Sequence, residues 1–232
     1  MLSVRRVNQY YGESHTLWDL TLDVPRGSCT CLMGRNGVGK TTTLKCIMGL
    51  LQPSTGEIRL DDTVLSARPA EFRARLGIGY VPQGREIFPR LTVEDNLRIG
   101  LAVNRGEKGH DAFQRVLDAF PVLRQMLHRR GGDLSGGQQQ QLAIGRALIL
   151  EPTFLILDEP TEGIQPNIVH EIGDTIVRLN VEMGMTVLLV EQKLPLARRV
   201  ADRFYVLDKG RAVANGAMSD LDDALVRRYL SV

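Results

Sequence analysis

The stretch Gly34-Arg35-Asn36-Gly37-Val38-Gly39-Lys40-Thr41 fits the pattern G-x-x-x-x-G-K-[ST], in which a glycine-rich loop wraps a polyphosphate. Residues Ser28 to Met33 before it read as a strand, and Lys40 to Leu51 after it carries apolar residues at helical spacing. Strand, loop and helix in that order are the context the motif needs. Glycine lets the backbone approach phosphate oxygens and turns successive N–H groups inward, at a helix N-terminus that favours anions. Lys40 supplies a point charge for the outer phosphates. Thr41 stands at the start of the helix with a hydroxyl suited to Mg²⁺.

A chain of 232 residues can bury one large α/β core with a small inserted subdomain. Its 29 basic and 27 acidic residues leave a formal charge of +2, so no overall field points to nucleic acid. Apolar runs such as Phe154 to Leu157 are strand-sized, well short of a membrane span. The start Met1-Leu2-Ser3-Val4-Arg5-Arg6 lacks the apolar core of a signal peptide, which points to the cytoplasm. Cys29 and Cys31 share one face of a strand and Cys46 follows in the next helix; without metal-ligand spacing they read as small buried apolar residues. His15, His110, His128 and His170 are scattered and carry no assigned chemistry. Val103 to Asp111, with mixed charges and glycines, reads as a flexible connection.

Around the glycine loop, Leu2 to Gln9 and Leu17 to Val24 read as strands. Tyr10-Tyr11-Gly12 lies between them, where an aromatic could offer its face to a purine or be a half-buried edge residue. A hairpin is expected over Glu57 to Leu60 and Thr63 to Leu65, then a short helix Pro69 to Arg75 and a strand Gly77 to Val81 that delivers Gln83 at its end. From Leu91 to about Leu150 only helices are expected, an inserted helical subdomain. It closes on Leu134-Ser135-Gly136-Gly137-Gln138, a serine N-cap or a second anion-binding helix start.

Phe154-Leu155-Ile156-Leu157 then runs into Asp158-Glu159, as a buried parallel strand would deliver acids at its carboxyl edge. There Asp158 could orient Mg²⁺ waters and Glu159 polarise an attacking water. The remainder alternates: helix Pro166 to Glu182, strand Thr186 to Val190, helix Leu194 to Ala201, strand Arg203 to Leu207, a turn at Lys209-Gly210 and a surface helix over Ser219 to Tyr229. Such alternation predicts a mainly parallel sheet.

With these pieces in one order, the chain resembles the ATP-binding subunit of ABC transporters across nearly its whole length; the Leu134 to Gln138 signature carries the resemblance. It implies an α/β, P-loop NTPase fold: a mainly parallel sheet core with N-terminal antiparallel strands and an inserted helical subdomain. One ATP-binding domain spans 1–232, with the core at 1–83 and 151–232 and the helical part at about 84–150. The resemblance further implies that Tyr11 stacks on adenine, that Gly34, Arg35, Asn36, Gly37, Val38, Gly39, Lys40, Thr41 and Thr42 hold the phosphates of ATP, and that Thr41, Gln83 and Asp158 serve Mg²⁺. Glu159 becomes the general base. Ser135, Gly136, Gly137 and Gln138 meet the nucleotide of a second ATP-binding subunit, while the helical insertion and the segment Gly84 to Gly100 dock on transmembrane permease subunits at the cytoplasmic face of the membrane. A periplasmic or extracellular substrate-binding protein would be an indirect partner.

Two positions depart from the family's pattern. Gln192, in Val190-Glu191-Gln192, stands where a histidine usually contacts the γ-phosphate, and Gln165 replaces the usual aspartate after the acidic pair. An amide can donate a hydrogen bond but cannot carry the charge. Both features resemble the branch that imports branched-chain amino acids and amides, and the loop Glu159 to Asn167 looks like that of a urea transporter's subunit. Urea is therefore the expected substrate of the partner complex, with branched-chain amino acids as the alternative. A DNA- or ribosome-acting ATPase of this fold usually carries fused domains or a long coiled-coil insertion, which this sequence does not show. A third alternative, a regulatory nucleotide-binding module with little turnover, draws on the two glutamines.

Overall fold

The computed structural model describes residues 1–101 and 107–230, with the side chains of 107 and 108 left out of the description. Of the flexible connection expected over Val103 to Asp111, residues 103–106 lie outside the described residues, and 107–111 instead begin a helix, Glu107–Ala119. Among the described residues ten strands form two sheets: β1 Leu2–Tyr11, β2 Ser14–Val24, β3 Cys29–Met33, β4 Thr55–Leu60, β5 Thr63–Val64, β6 Ile78–Val81, β7 Phe154–Asp158, β8 Thr186–Val190, β9 Arg203–Asp208 and β10 Arg211–Ala217. The first is antiparallel, in the order β2-β1-β4-β5; the second runs β10-β9-β3-β8-β7-β6 and is parallel except for β10.

Helices fill the connections: α1 Lys40–Met48, α2 Ala70–Arg75, α3 Val93–Leu101, α4 Glu107–Ala119, α5 Pro121–Gln125, α6 Gly136–Leu148, α7 Pro166–Val177, α8 Leu194–Val200 and α9 Asp223–Leu225. Helices α3 to α6 all fall between β6 and β7.

The pleat of the parallel sheet separates two apolar clusters. Cys29, Cys31, Met33, Leu155, Leu157, Val187, Leu189 and Val206 face one, together with helices α3 to α8. Leu32, Phe154, Ile156, Leu188, Val190 and Leu207 face the other, against α1 and the antiparallel sheet. Successive strand residues point to opposite faces, so a central strand covered on both sides must be apolar throughout. Every residue of β3, β7 and β8 is buried. Burial pushes the Cys29 thiol up to about 12 and the Cys46 thiol up to about 11, as expected of cysteines acting as small apolar residues.

The hairpin β1–β2 is longer than its sequence suggests. Tyr10 and Tyr11 belong to β1, Tyr11 pairing with Ser14 across a tight turn at Gly12-Glu13. The apolar phase in β1 slips between Val4 and Val7; a bulge with Arg6 at φ 45° absorbs the extra residue, matched in β2 by Asp19 at φ 44°. Helix α1 stops at Met48 instead of Leu51, because Gly49 at φ 71° turns the chain and sends its N–H back to the Cys46 carbonyl. The helix expected over Pro166 to Glu182 is α7 followed by a widened π turn over Arg178–Glu182. The tail helix is likewise short, Asp223–Leu225, running into a second such turn over Val226–Leu230. Strand β10, an exposed antiparallel edge of small and polar residues, has no apolar alternation to announce it.

Candidate functional site

The glycine loop leaves β3 at its carboxyl end, between β8 and β9, and opens α1. Gly34 and Gly39 hold backbone at φ 148° and 106°; a Cβ on Gly34 would lie 2.4 Å from the Leu207 carbonyl, so the loop can seat on β9 only as glycine. The Lys40 ammonium, buried, donates to the Gly34 and Arg35 carbonyls at 2.9 and 3.0 Å and lies 3.5 Å from Glu159 Oε1.

A cavity of about 330 Å³ opens over this loop, lined by Thr16, Asn36, Gly37, Gly39, Lys40, Thr41, Thr42, Gln83, Glu159 and Glu162. Strands β6 and β7 deliver the last residues from the same sheet edge. Gln83 is exposed there, its amide donating to Glu162 Oε2 at 2.9 Å. Asp158 closes β7 beneath the cavity, 1% exposed, and neither carboxylate oxygen has a hydrogen-bond partner among the described residues. Burial pushes its pKa up to about 6, opposed only in part by the nearby Thr41 hydroxyl.

Those orphaned oxygens, near the Thr41 hydroxyl and beneath the cavity that Gln83 lines, are a hard-oxygen donor set that fits Mg²⁺ shared with nucleotide phosphates. Among the described residues no cluster of three His, Cys, Asp or Glu could hold a metal by itself.

Glu159 sits at φ 47°, an uncommon backbone for a non-glycine residue. Its N–H donates to the Val190 carbonyl at 2.9 Å. The Gln192 amide donates to Glu159 Oε1 at 2.6 Å and to Asn36 Oδ1 at 2.7 Å, so one side chain ties the glycine loop to the acid.

Two groups of residues singled out in the sequence stand apart from this cavity. Tyr11 is exposed at the β1–β2 hairpin tip and is not among the lining residues. Ser135 to Gln138 form the start of α6, also outside the lining. Gly136 and Gly137 lie inside the first turn of the helix. Gln138 N–H donates to Ser135 Oγ at 3.4 Å and Ser135 N–H to Gln138 Oε1 at 2.9 Å, a capping box that occupies two of the donors expected to be open. Gly137 has a packing reason too, since a Cβ there would lie 2.4 Å from Ile168 Cγ2 of α7.

Sequence reading missed Thr16 and Glu162 as lining residues. Neither belongs to a motif with fixed spacing, and only the sheet brings them to the loop.

A glycine loop and lysine at the carboxyl edge of a parallel sheet, with a buried aspartate at the same edge two strands away, define a phosphate-loop nucleotide-binding α/β protein. The family model described as ABC transporter matches residues 17–162. The chain is 42% identical over 213 residues to the high-affinity branched-chain amino acid transport ATP-binding protein BraG of Pseudomonas aeruginosa, covering 92% of this chain and 91% of that one. It is 39% identical over 221 residues to the probable branched-chain amino acid transport ATP-binding protein LivF of Archaeoglobus fulgidus, covering 95% and 94%. A bacterial ABC transporter cassette solved as a dimer superposes with a TM-score of 0.85 at 27% identity, over 94% of this chain and 99% of that one. The chain belongs to the ABC transporter family, as an ATP-binding domain that hydrolyses ATP.

Proposed function

We propose that this chain is the ATP-hydrolysing subunit of an importer for branched-chain amino acids, bound to transmembrane permease subunits at the cytoplasmic face of the membrane. The convergence of Lys40, Thr41, Gln83, Asp158 and Glu159 on one sheet edge carries the ATPase reading. The relatives named for branched-chain amino acid transport, at about 40% identity over nearly the whole chain, favour that substrate class over urea. Urea remains a second reading on the loop Glu159-Pro160-Thr161-Glu162-Gly163-Ile164-Gln165-Pro166-Asn167. Uptake of radiolabelled leucine and urea by cells lacking this chain decides between them: leucine uptake is expected to fall and urea uptake to hold, and the reverse result transfers the assignment to urea.

We assign the roles as follows. The chain is one ATP-binding domain, with its core at 1–83 and 151–232 and a helical insertion at about 84–150. Backbone N–H groups of Gly34 to Thr42, with Lys40, hold the phosphates, and Tyr11 stacks on the adenine. Thr41, Gln83 and Asp158 would hold Mg²⁺, which when bound neutralises charge on the phosphate oxygens. Glu159 accepts the proton of the attacking water, and Gln192 donates its amide to the γ-phosphate.

Ser135, Gly136, Gly137 and Gln138 close on nucleotide held by a second ATP-binding subunit, a reading supported by the dimeric form of the similar cassette. Among the described residues no helix is long and apolar enough to cross a membrane, so membrane contact passes through the permease subunits.

Lys40→Ala is expected to weaken ATP affinity by about 10-fold to 100-fold, the worth of a charge-assisted contact, measured by titration calorimetry. Undiminished affinity would reject the phosphate-loop reading. Ser135→Arg is expected to leave nucleotide binding intact and abolish the ATP-dependent dimer seen by size-exclusion chromatography; a dimer that persists contradicts the closure role.

A further inference from the structure

The carboxylate of Glu191 lies just behind the cavity and is not among the residues that line it. It is 3% exposed and directly follows β8, where a polar residue would be expected to reach solvent. Instead it gathers three donors. Oε1 accepts the N–H groups of Gln192 at 2.8 Å and Lys193 at 2.9 Å, and Oε2 accepts the hydroxyl of Thr161 at 2.6 Å. Thr161 is fully buried in the loop that follows Glu159, thirty residues away in the chain. Lys193 repeats the cross-link, its ammonium donating to the Thr161 carbonyl at 2.7 Å.

The two loops thus stapled carry the two ends of one contact. The β7–α7 loop presents Glu159 in a left-handed backbone that its own sequence does not favour, and the β8–α8 loop presents the Gln192 amide that meets it at 2.6 Å. A carboxylate that accepts two consecutive backbone N–H groups turns the chain at Gln192, while its second oxygen fixes the neighbouring loop. Charge-assisted bonds of this kind are about twice as strong as neutral ones and here they are sheltered from water.

We infer that Glu191 is a positioning residue for the hydrolysis step: it stays outside the cavity lining and acts by setting the register between Glu159 and Gln192. This inference rests on the assignment of Glu159 as the base. Nucleotide binding rests mainly on the glycine loop and Lys40, to which Glu191 makes no hydrogen bond and which it reaches only through the single Gln192 contact to Asn36.

Steady-state ATPase of the full chain, with ATP affinity measured separately, tests it. Glu191→Ala is expected to lower kcat on the order of 10-fold to 100-fold, the effect of misplacing a reacting group by about an ångström, with ATP affinity within about threefold of the parent. Glu191→Gln is expected to restore most of the rate, because its carbonyl oxygen accepts both N–H groups and its amide donates to Thr161 Oγ1.

Thr161→Val removes one arm only and is expected to lower kcat in the same direction, less than additively with Glu191→Ala. It decides the matter should Glu191→Ala fail to fold. A parental kcat in both variants, a loss of ATP affinity in step with kcat, or no rescue by Glu191→Gln overturns the inference. Glu159→Gln run alongside separates the two ideas: if it keeps full turnover, the base assignment itself fails, whereas a dead Glu159→Gln beside a fully active Glu191→Ala defeats the positioning role alone.

Discussion

Asp158→Asn is expected to make the nucleotide-free protein more stable and to abolish its turnover. Both effects come from the same two orphaned oxygens. The folded carboxyl titrates at about 6, raised first by burial, against about 3.8 for a free aspartate. Between those values the folded chain holds a proton that the unfolded chain has lost, so the favourable contribution is complete below about pH 4 and is lost as pH rises through about 6. At pH 7 the full penalty stands, about 3 kcal/mol.

A neutral amide in the same place recovers part of this, about 1–2 kcal/mol, since its own polar atoms are also short of partners. Thermal unfolding from pH 4 to 8 without nucleotide checks it: the parent should lose stability toward pH 6 and the variant should show a flatter profile. Turnover is expected to fall about a thousand-fold, because a carboxylate that holds Mg²⁺, as proposed for Asp158, would contribute several kcal/mol of charge stabilisation. Binding of Mg²⁺ with nucleotide should strengthen as pH rises through 6 in the parent alone. A variant no more stable than the parent at pH 7 would mean that Asp158 is partnered in solution.

Arg73→Ala is expected to cost about 3–5 kcal/mol of stability, from stranded carbonyls and the cavity left behind, more than any other single truncation described here. The side chain is fully buried, yet none of its hydrogen-bond acceptors is a carboxylate. Its guanidinium donates to the carbonyls of Cys46, Ile47, Leu65 and Arg68. Cys46 and Ile47 are the carbonyl end of α1, where a helix gathers partial negative charge, so Arg73 caps the helix that opens at the phosphate loop.

Burial lowers its pKa to about 10, which still leaves it charged at neutral pH. Removing it strands the Ile47 and Arg68 carbonyls, while those of Cys46 and Leu65 keep one backbone N–H each, from Gly49 and Arg68. In a chain of this size the loss corresponds to a drop of about 10 °C in Tm, readable by calorimetry, and ATP with Mg²⁺ should recover part of it by binding the folded state. Arg73→Lys, with three donors on one nitrogen, should recover less than half. A Tm within a degree or two of the parent would show that the helix end is satisfied by other means.

Much of the site was legible because its parts are local. The spacing from Gly34 to Thr41 encodes a loop whose glycines permit positive φ, and four apolar residues ahead of Asp158-Glu159 suffice to place acids at the carboxyl edge of a buried strand. Backbone conformation and strand burial depend on near neighbours, so these readings needed no knowledge of the rest of the chain. The Cys29–Cys31 face, the β8 limits and the capping serine of α6 follow for the same reason.

Contacts between distant segments are of another kind. The Gln192 bridge from Glu159 to Asn36, the Glu191 staple to Thr161 and the charge of Arg73 buried against α1 each join residues that share no periodicity. Strand β10 exists because β9 offers it an edge, and the bulge at Arg6 because β1 must serve two antiparallel neighbours at once. Hydrogen bonding across a sheet and the filling of a shared interior are settled by which segments meet, and that meeting is a property of the whole packed chain.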